Sequence, residues 1–183
     1  MKSNLTIRQS LPLLEEILAP REMVIGDQFE AYKNHVYRVV HFCLAFHQCE
    51  GDDESKLITA GCFHDLGMWP GDVIDYLVPS MALATSYLEE KNLQAWIPEV
   101  TTMIDLHHRF RTAPSSVSPL VEIFRKGDWV DASMGLRRFG LSRSVVREVQ
   151  GAFPNLGFHQ NLIRITRKEF WNRPLNPLPM MKW

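Results

Sequence analysis

The chain is poor in cysteine and has no cysteine pair spaced for metal or disulfide chemistry. Cys43, Cys49 and Cys62 make an odd count without a CxxC, so neither a disulfide framework nor a thiolate zinc site is indicated. Cys43 and Cys62 stand among apolar neighbours and read as small buried hydrophobes. A nucleophilic Cys62, two residues before His64, would need its own base and an electropositive setting. Long apolar runs are also missing: nothing approaches the roughly 18 uninterrupted apolar residues of a membrane span. In the opening segment MKSNLTIRQSLPLLEEILAP, Glu15 and Glu16 interrupt what would have to be the apolar core of a signal peptide. A cytoplasmic protein that does not engage a membrane is expected. No run alternates with period 2, and there is no repeat or low-complexity tract, which leaves an all-α reading as a single-domain helical bundle.

The chain has 183 residues, enough for one domain with one sizeable core. Apolar residues make up 45%, charged residues 22%, and the formal net charge is -1. That balance excludes global disorder and a generally basic nucleic-acid binder. Charge is uneven along the chain. Residues 1–131 carry 11 basic and 19 acidic side chains, whereas 132–183 carry 9 and 2. The asymmetry reads either as complementarity within the chain or between subunits of a homo-oligomer, or as a rim that attracts an anionic small-molecule substrate.

Residues 5–18 read as a first helix, ended by Pro20. In the segment DQFEAYKNHVYRVVHFCLAFHQCE, Phe29, Tyr32, Val36, Val39, Cys43 and Phe46 step by three or four, the mark of an amphipathic helix. Asp27 is its expected N-cap and Gly51 its stop. His35 lies at the edge of that apolar stripe and can point inward. The next helix begins in the acidic DDES and runs to about Gly67, with Ala60 and Gly61 small enough for another helix to approach closely. Pro70 and Gly71 supply turn chemistry. Helical patterns resume at 80–91 and 95–109. Ser118-Pro119 caps a helix to 134 and Ser142 caps another to about 152. The tail RPLNPLPMMKW is expected to be irregular, anchored by Trp171 and Trp183. The chain divides into an N-terminal helical extension (1–25), a core (26–135) and a basic C-terminal extension with its Pro-rich tail (136–183).

Seven histidines occur. A lone helical histidine is more often a core or surface residue than a ligand, but His64-Asp65 are adjacent at a helix end. They sit about 100° apart around the axis, and their different lengths let both reach one cation, with further ligands needed from other helices.

Here the sequence resembles the HD-domain superfamily of metal-dependent phosphohydrolases. His35, then His64-Asp65 in FHDLG, then Asp128 in KGDWVDA follow its H…HD…D order, with 29 residues from His35 to His64 and 63 from Asp65 to Asp128. FHDLG is similar to the family's HDIG-like core motif, and the resemblance covers roughly residues 30–135. It implies that His35, His64, Asp65 and Asp128 hold one divalent metal ion. Two nitrogens and two carboxylates with waters suit Mn, Fe, Co, Ni or Mg, or Zn at lower coordination. Asp131, one helical turn on, competes with Asp128 for the last place; Asp-x-x-x-Ala at 128–132 resembles the family's final segment and favours Asp128. The other reading of Asp131 is a solvated carboxylate or one lying behind the ligands. In related phosphohydrolases a carboxylate shortly after the HD pair assists the water, a place Asp72 occupies here. Two-metal members, including the oxygen-activating di-iron branch, usually supply two extra histidines after the HD pair. This chain has none from 66 to 106, so one metal is expected. The GYP motif of the cyclic-di-GMP branch is absent.

A divalent ion in such a site acidifies water and polarises the bond under attack. Phosphoester hydrolysis then requires cations for the developing charge and an acid for the leaving oxygen. The candidates are His107 as a catalytic residue with Asp72, and His108, Arg109, Arg111 and Lys126 as substrate-binding groups. Otherwise they are helix-surface histidines and a solvated helix end. Three functions compete. The first is a phosphohydrolase acting on a nucleotide or small phosphoester. The second is a hydratase or lyase acting on a small neutral substrate, as in the cyanamide-hydratase-like branch, to which the Met- and Trp-rich stretch after the HD pair would be suited. The third is a non-catalytic ligand-sensing module.

Overall fold

Pro12 decides where the chain first becomes helical. Proline disfavours the α region for the residue before it, and Leu11 is accordingly extended, with φ -119° and ψ 101°. The helix α1 therefore spans only Pro12–Leu18, not 5–18 as the apolar pattern suggests, and the Leu11 N–H is donated to the Tyr37 hydroxyl at 3.1 Å. The computed structural model describes residues 5–69 and 76–172. Within them follow α2 (Glu22–Ile25), α3 (Phe29–Phe46), α4 (Asp53–Phe63), α5 (Leu77–Glu90), α6 (Ile97–Leu106), α7 (Pro119–Ala132), α8 (Arg143–Ala152) and α9 (Phe158–Asn172). Among the described residues there is no strand, so the all-α expectation holds. No helix among them is long and apolar enough to cross a membrane.

The long helix α3 is the axis of the bundle: α7 and α4 pack along it, α8 and α9 touch it, and α6 bridges α4 and α7. Two glycines set the separations. An added Cβ at Gly61 of α4 would lie 3.2 Å and 3.3 Å from Val36 and Val40 of α3, which is the close approach expected there. A Cβ at Gly127 of α7 would lie 2.5 Å from the Cys43 sulfur and 2.9 Å from the Val39 carbonyl oxygen. Glycine at these two points brings His35 of α3 within reach of Asp65, two residues past the end of α4, and of Asp128 on α7. One apolar core runs from Leu11 and Leu14 through α3 and α4 to Phe153 and Phe158, so the segments outside 26–135 contribute to the same core.

Several boundaries differ from the sequence pattern. The helix α3 begins after a 3₁₀ turn at Gly26–Gln28, with Gln28 rather than Asp27 at the cap, and ends at Phe46, where His47 is extended. Gly51, at φ +51°, serves the turn into α4 instead. Ser118 and Ser142 cap as expected, accepting from the Leu120 and Val145 N–H groups. The helix α9 was not legible in the pattern. Trp171 on it is 89% exposed among the described residues, while Asp72, Trp183 and the whole of the Pro-rich tail RPLNPLPMMKW lie outside them.

Candidate metal centre

His64 and His107 are positioned by the same local device. Each directly follows a helix, α4 or α6, as its C-cap, where the last carbonyls lack intrahelical partners. The His64 Nδ1 donates back to the Gly61 carbonyl at 2.7 Å, and the His107 Nδ1 to the Ile104 carbonyl at 2.6 Å. These bonds satisfy orphan acceptors and put the imidazole proton on Nδ1. Both Nε2 atoms are therefore bare and point away from their helix ends. After Asp65 the chain turns through a 3₁₀ segment, Leu66–Met68. Gly67 makes that turn possible, because its N–H is donated to Ser80 Oγ at 2.9 Å and a Cβ there would lie 2.4 Å from the Tyr76 carbonyl oxygen.

His35 reaches the same point from α3. Its Nδ1 bonds the Asp131 carboxylate at 2.7 Å, which fixes the tautomer and leaves Nε2 bare. Asp131 is fully buried. It also accepts from Arg38 Nη2 at 2.9 Å, while Arg38 Nη1 is donated to the Phe153 and Pro154 carbonyls at 3.0 Å and 3.3 Å. Phe158, the first residue of α9, stacks on the His35 ring with centroids 4.2 Å apart. His159 Nε2 donates to the Asp131 carbonyl at 2.8 Å. The C-terminal helix thus closes one side of the cluster. Tyr32 lines another, its hydroxyl donated to the Cys62 carbonyl at 3.0 Å.

The bare nitrogens meet two carboxylates. His35 Nε2 and His64 Nε2 are 3.0 Å apart. Asp65 Oδ2 lies 3.4 Å from His64 Nε2 and 3.7 Å from His35 Nε2. Asp128 Oδ1 lies 3.6 Å and 3.8 Å from the same two atoms, and Asp65 Oδ1 faces His107 Nε2 at 3.5 Å. Ligand atoms about 2.1 Å from one ion at tetrahedral or octahedral angles are ~3.0–3.4 Å apart; the separations of 3.0 to 3.8 Å reach or slightly exceed that range, so small side-chain shifts bring these atoms around one cation. Among the described residues, Asp65 Oδ1 and His107 Nε2 are buried without a hydrogen-bond partner. Lone pairs and carboxylates converging away from water are costly unless a cation compensates them. Among the described residues, three overlapping triads can hold an ion: His35–His64–Asp128, His64–Asp65–His107 and His107–His108–Asp128.

The electrostatics agree. Burial opposes ionisation of Asp65 and Asp128, yet the histidines around them, His64 and His107 foremost, hold both carboxyls below their ordinary value. Burial lowers the pKa of His64, but Asp65 and Asp128 outweigh it and raise the group to about 9. Without a metal, a proton at His64 does part of the work of the cation. His35 is lowered by burial, against the pull of Asp131. Asp131 is held far down by His35 and Arg38 in spite of its burial. His108 is pushed to about 3, by burial and then by His107, and it accepts or shares the Tyr76 hydroxyl proton.

Of the residues singled out from sequence, the structure brings together His35, His64, Asp65, Asp128, His107 and His108. It does not bring Lys126 to the cluster: two residues before Asp128, it stands about 200° away around α7 and its ammonium lies 3.6 Å from Glu122. Arg111 is exposed. Arg109 turns its carbonyl to Arg125 and Trp129, at 3.2 Å and 3.1 Å. Cys62 is directed at the Leu14 carbonyl of α1 with its thiol pushed up by burial, so it is no nucleophile. Arg38 and His159 had no role in the sequence reading, and Tyr76 entered it only within the Met- and Trp-rich stretch after the HD pair. Arg38 had a signal, being one turn beyond His35 on the same helix.

No protein-family model matches this chain, and neither a curated protein nor a solved structure matches it.

Proposed function

We propose that the protein is a metal-dependent hydrolase of the HD-domain kind, acting on a nucleotide or other small phosphoester. The observation that carries this is the set of three histidines, His35, His64 and His107, each with Nδ1 occupied by a protein acceptor and Nε2 turned bare onto Asp65 and Asp128. Metal-ligating histidines are held in this way, by a carboxylate or backbone carbonyl on the far ring nitrogen. The donors, imidazole nitrogen and carboxylate oxygen without thiolate, suit Mn, Fe, Co, Ni or Zn, and Mg less well. His107 belongs with the ligands in this reading. The expectation of one ion rested on the histidine-free stretch 66–106; since His107 and His108 both reach the cluster, the ligand set itself permits a second ion.

A bound divalent ion supplies a Lewis acid that makes water a nucleophile at neutral pH. The chain's own residues do the rest. Asp131 and the Gly61 and Ile104 carbonyls hold the Nδ1 protons and keep the imidazoles aimed. Phe158 on one side, and Tyr32 with Trp69 on another, exclude water, Tyr32 and Trp69 meeting with centroids 4.7 Å apart. Tyr76 and His108 share a proton at the edge of the cluster. One observation favours the second reading, a hydratase or lyase acting on a small neutral substrate. The arginines and the lysine expected to meet a phosphate are exposed, paired on their own helix or without a described contact to the cluster.

A screen of nucleotides and generic phosphoesters with metal-loaded protein separates the two. Phosphate release that disappears in His64→Ala and Asp65→Ala supports the phosphohydrolase. Full metal occupancy with no phosphoester turnover overturns it in favour of the neutral-substrate or sensing readings.

A further inference from the structure

Beside Asp131, the residue that bonds His35, lies a half-open cavity of about 380 Å³ that His35 itself does not line. Its floor is the buried ion pair Arg38–Asp131, its walls include Phe153 and His159, and Gln150 and Gln160 stand at its sides. The floor is electrically balanced: one guanidinium against one carboxylate, with His159 held between the Asp131 carbonyl and the Asn155 amide. A charged occupant would be desolvated without a counter-charge, which selects against it. Hydrogen-bonding capacity remains in the cavity. Four of the five Arg38 N–H groups are used, toward Asp131, Phe153 and Pro154. The Gln150 and Gln160 amides each offer donor and acceptor together and make no hydrogen bond to another described residue.

We infer that this cavity is a second small-molecule site, which takes a neutral planar ligand with an amide-type edge, an N–H beside a C=O, as in a pyrimidine base or a primary carboxamide. The volume is at the small end of ligand pockets and accommodates one ring; it is the balanced floor, not the size, that disfavours a ligand carrying phosphates. A primary amide on the protein pairs with such an edge in two bonds, as glutamine does with a base, and the Phe153 ring supplies an apolar wall. The site is joined to the metal cluster through one residue, because Asp131 is at once the floor of the cavity and the acceptor of the His35 Nδ1 proton. A ligand that shifts the Arg38–Asp131 pair therefore changes how firmly His35 is held. This last link rests on the metal reading above; the binding itself does not.

The test is saturation-transfer NMR and calorimetry on the full chain with uracil and with nicotinamide, benzoate serving as the charged control. Saturable binding of uracil alone identifies a base edge, and of nicotinamide a carboxamide; either supports the site. Gln150→Leu and Gln160→Leu, both near the cavity mouth, are expected to weaken binding about tenfold each with unchanged melting temperature, and His64→Ala to leave it intact. Failure of both probes to saturate, preference for benzoate, or indifference to both leucine variants overturns the proposal. Zinc titration with and without saturating probe reads the link. A several-fold change in zinc affinity supports it, and an unchanged affinity overturns the link while leaving the site. A protein that binds the probe but no metal removes the metal reading alone.

Discussion

Replacing Asp131 by asparagine separates the positioning of the metal site from its ligands. The residue touches no atom at the centre of the cluster, yet it receives the His35 Nδ1 proton at 2.7 Å and the Arg38 guanidinium. Asparagine keeps the shape and one acceptor but removes the charge that fixes the imidazole. Loss of such a partner typically lowers metal affinity by about 10–100-fold, or ~1.4–2.7 kcal/mol. The same change leaves Arg38, which is 1% exposed, without a counter-charge, a loss of about 3–5 kcal/mol. Against a total stability of ~5–15 kcal/mol, the variant folds with a lowered urea midpoint. Zinc affinity is measured at pH 7.5 by competition with a chromophoric chelator, alongside urea unfolding. The reasoning is refuted if the urea midpoint falls while zinc affinity stays within about twofold of the wild type, because Asp131 would then support the fold and not the metal.

Two further outcomes follow from the same geometry. In the metal-free protein His64 is raised from 6.5 to about 9, so the native state holds more protons than the unfolded chain across that interval. The His64 contribution to stability is full below about pH 6.5 and is lost as pH rises through 9; His35 and His108, both lowered, act oppositely and weaken the fold as pH drops below 6.5. Urea midpoints from pH 6 to 9 in chelator should therefore fall on the alkaline side, and zinc should abolish that fall by occupying Nε2. Gly127→Ala should cost ~1–3 kcal/mol by overpacking, and Cys43→Ala should restore only part of it, because the Val39 carbonyl oxygen, 2.9 Å from the new Cβ, belongs to the backbone; double-mutant urea curves measure this.

Much of the site was legible because it depends on residue type and order along the chain. His35 at the edge of an apolar stripe, His64-Asp65 at a helix end and Asp128 on a capped helix are local facts, and the bundle brings them together. What the pattern could not reveal was set by tertiary contact. Lys126 looked like a substrate cation by proximity in sequence, but the helical rotation between it and Asp128 takes it to another face. Asp128 was favoured over Asp131, three residues away, by the Asp-x-x-x-Ala resemblance alone, and it is the position of His35 and Arg38 that gives Asp131 its separate role. The gap 66–106 argued for a shortage of histidine ligands; the turn after α6 supplies two in succession at His107-His108. The helix α9 escaped notice because its sequence carries mostly polar residues, although its first two residues, Phe158 and His159, complete the wall behind His35.

The central claim is that the buried histidines and aspartates form a metal-binding site. Its most direct test is elemental analysis of protein purified without chelator and without affinity metal, beside His64→Ala and Asp65→Ala prepared identically. A stoichiometric divalent transition metal in the wild type, lost from both variants while their helical content persists, is the predicted result. Wild-type protein that carries no such metal, and that gains neither bound ion nor thermal stability when Mn, Fe, Co, Ni or Zn is supplied, would contradict it.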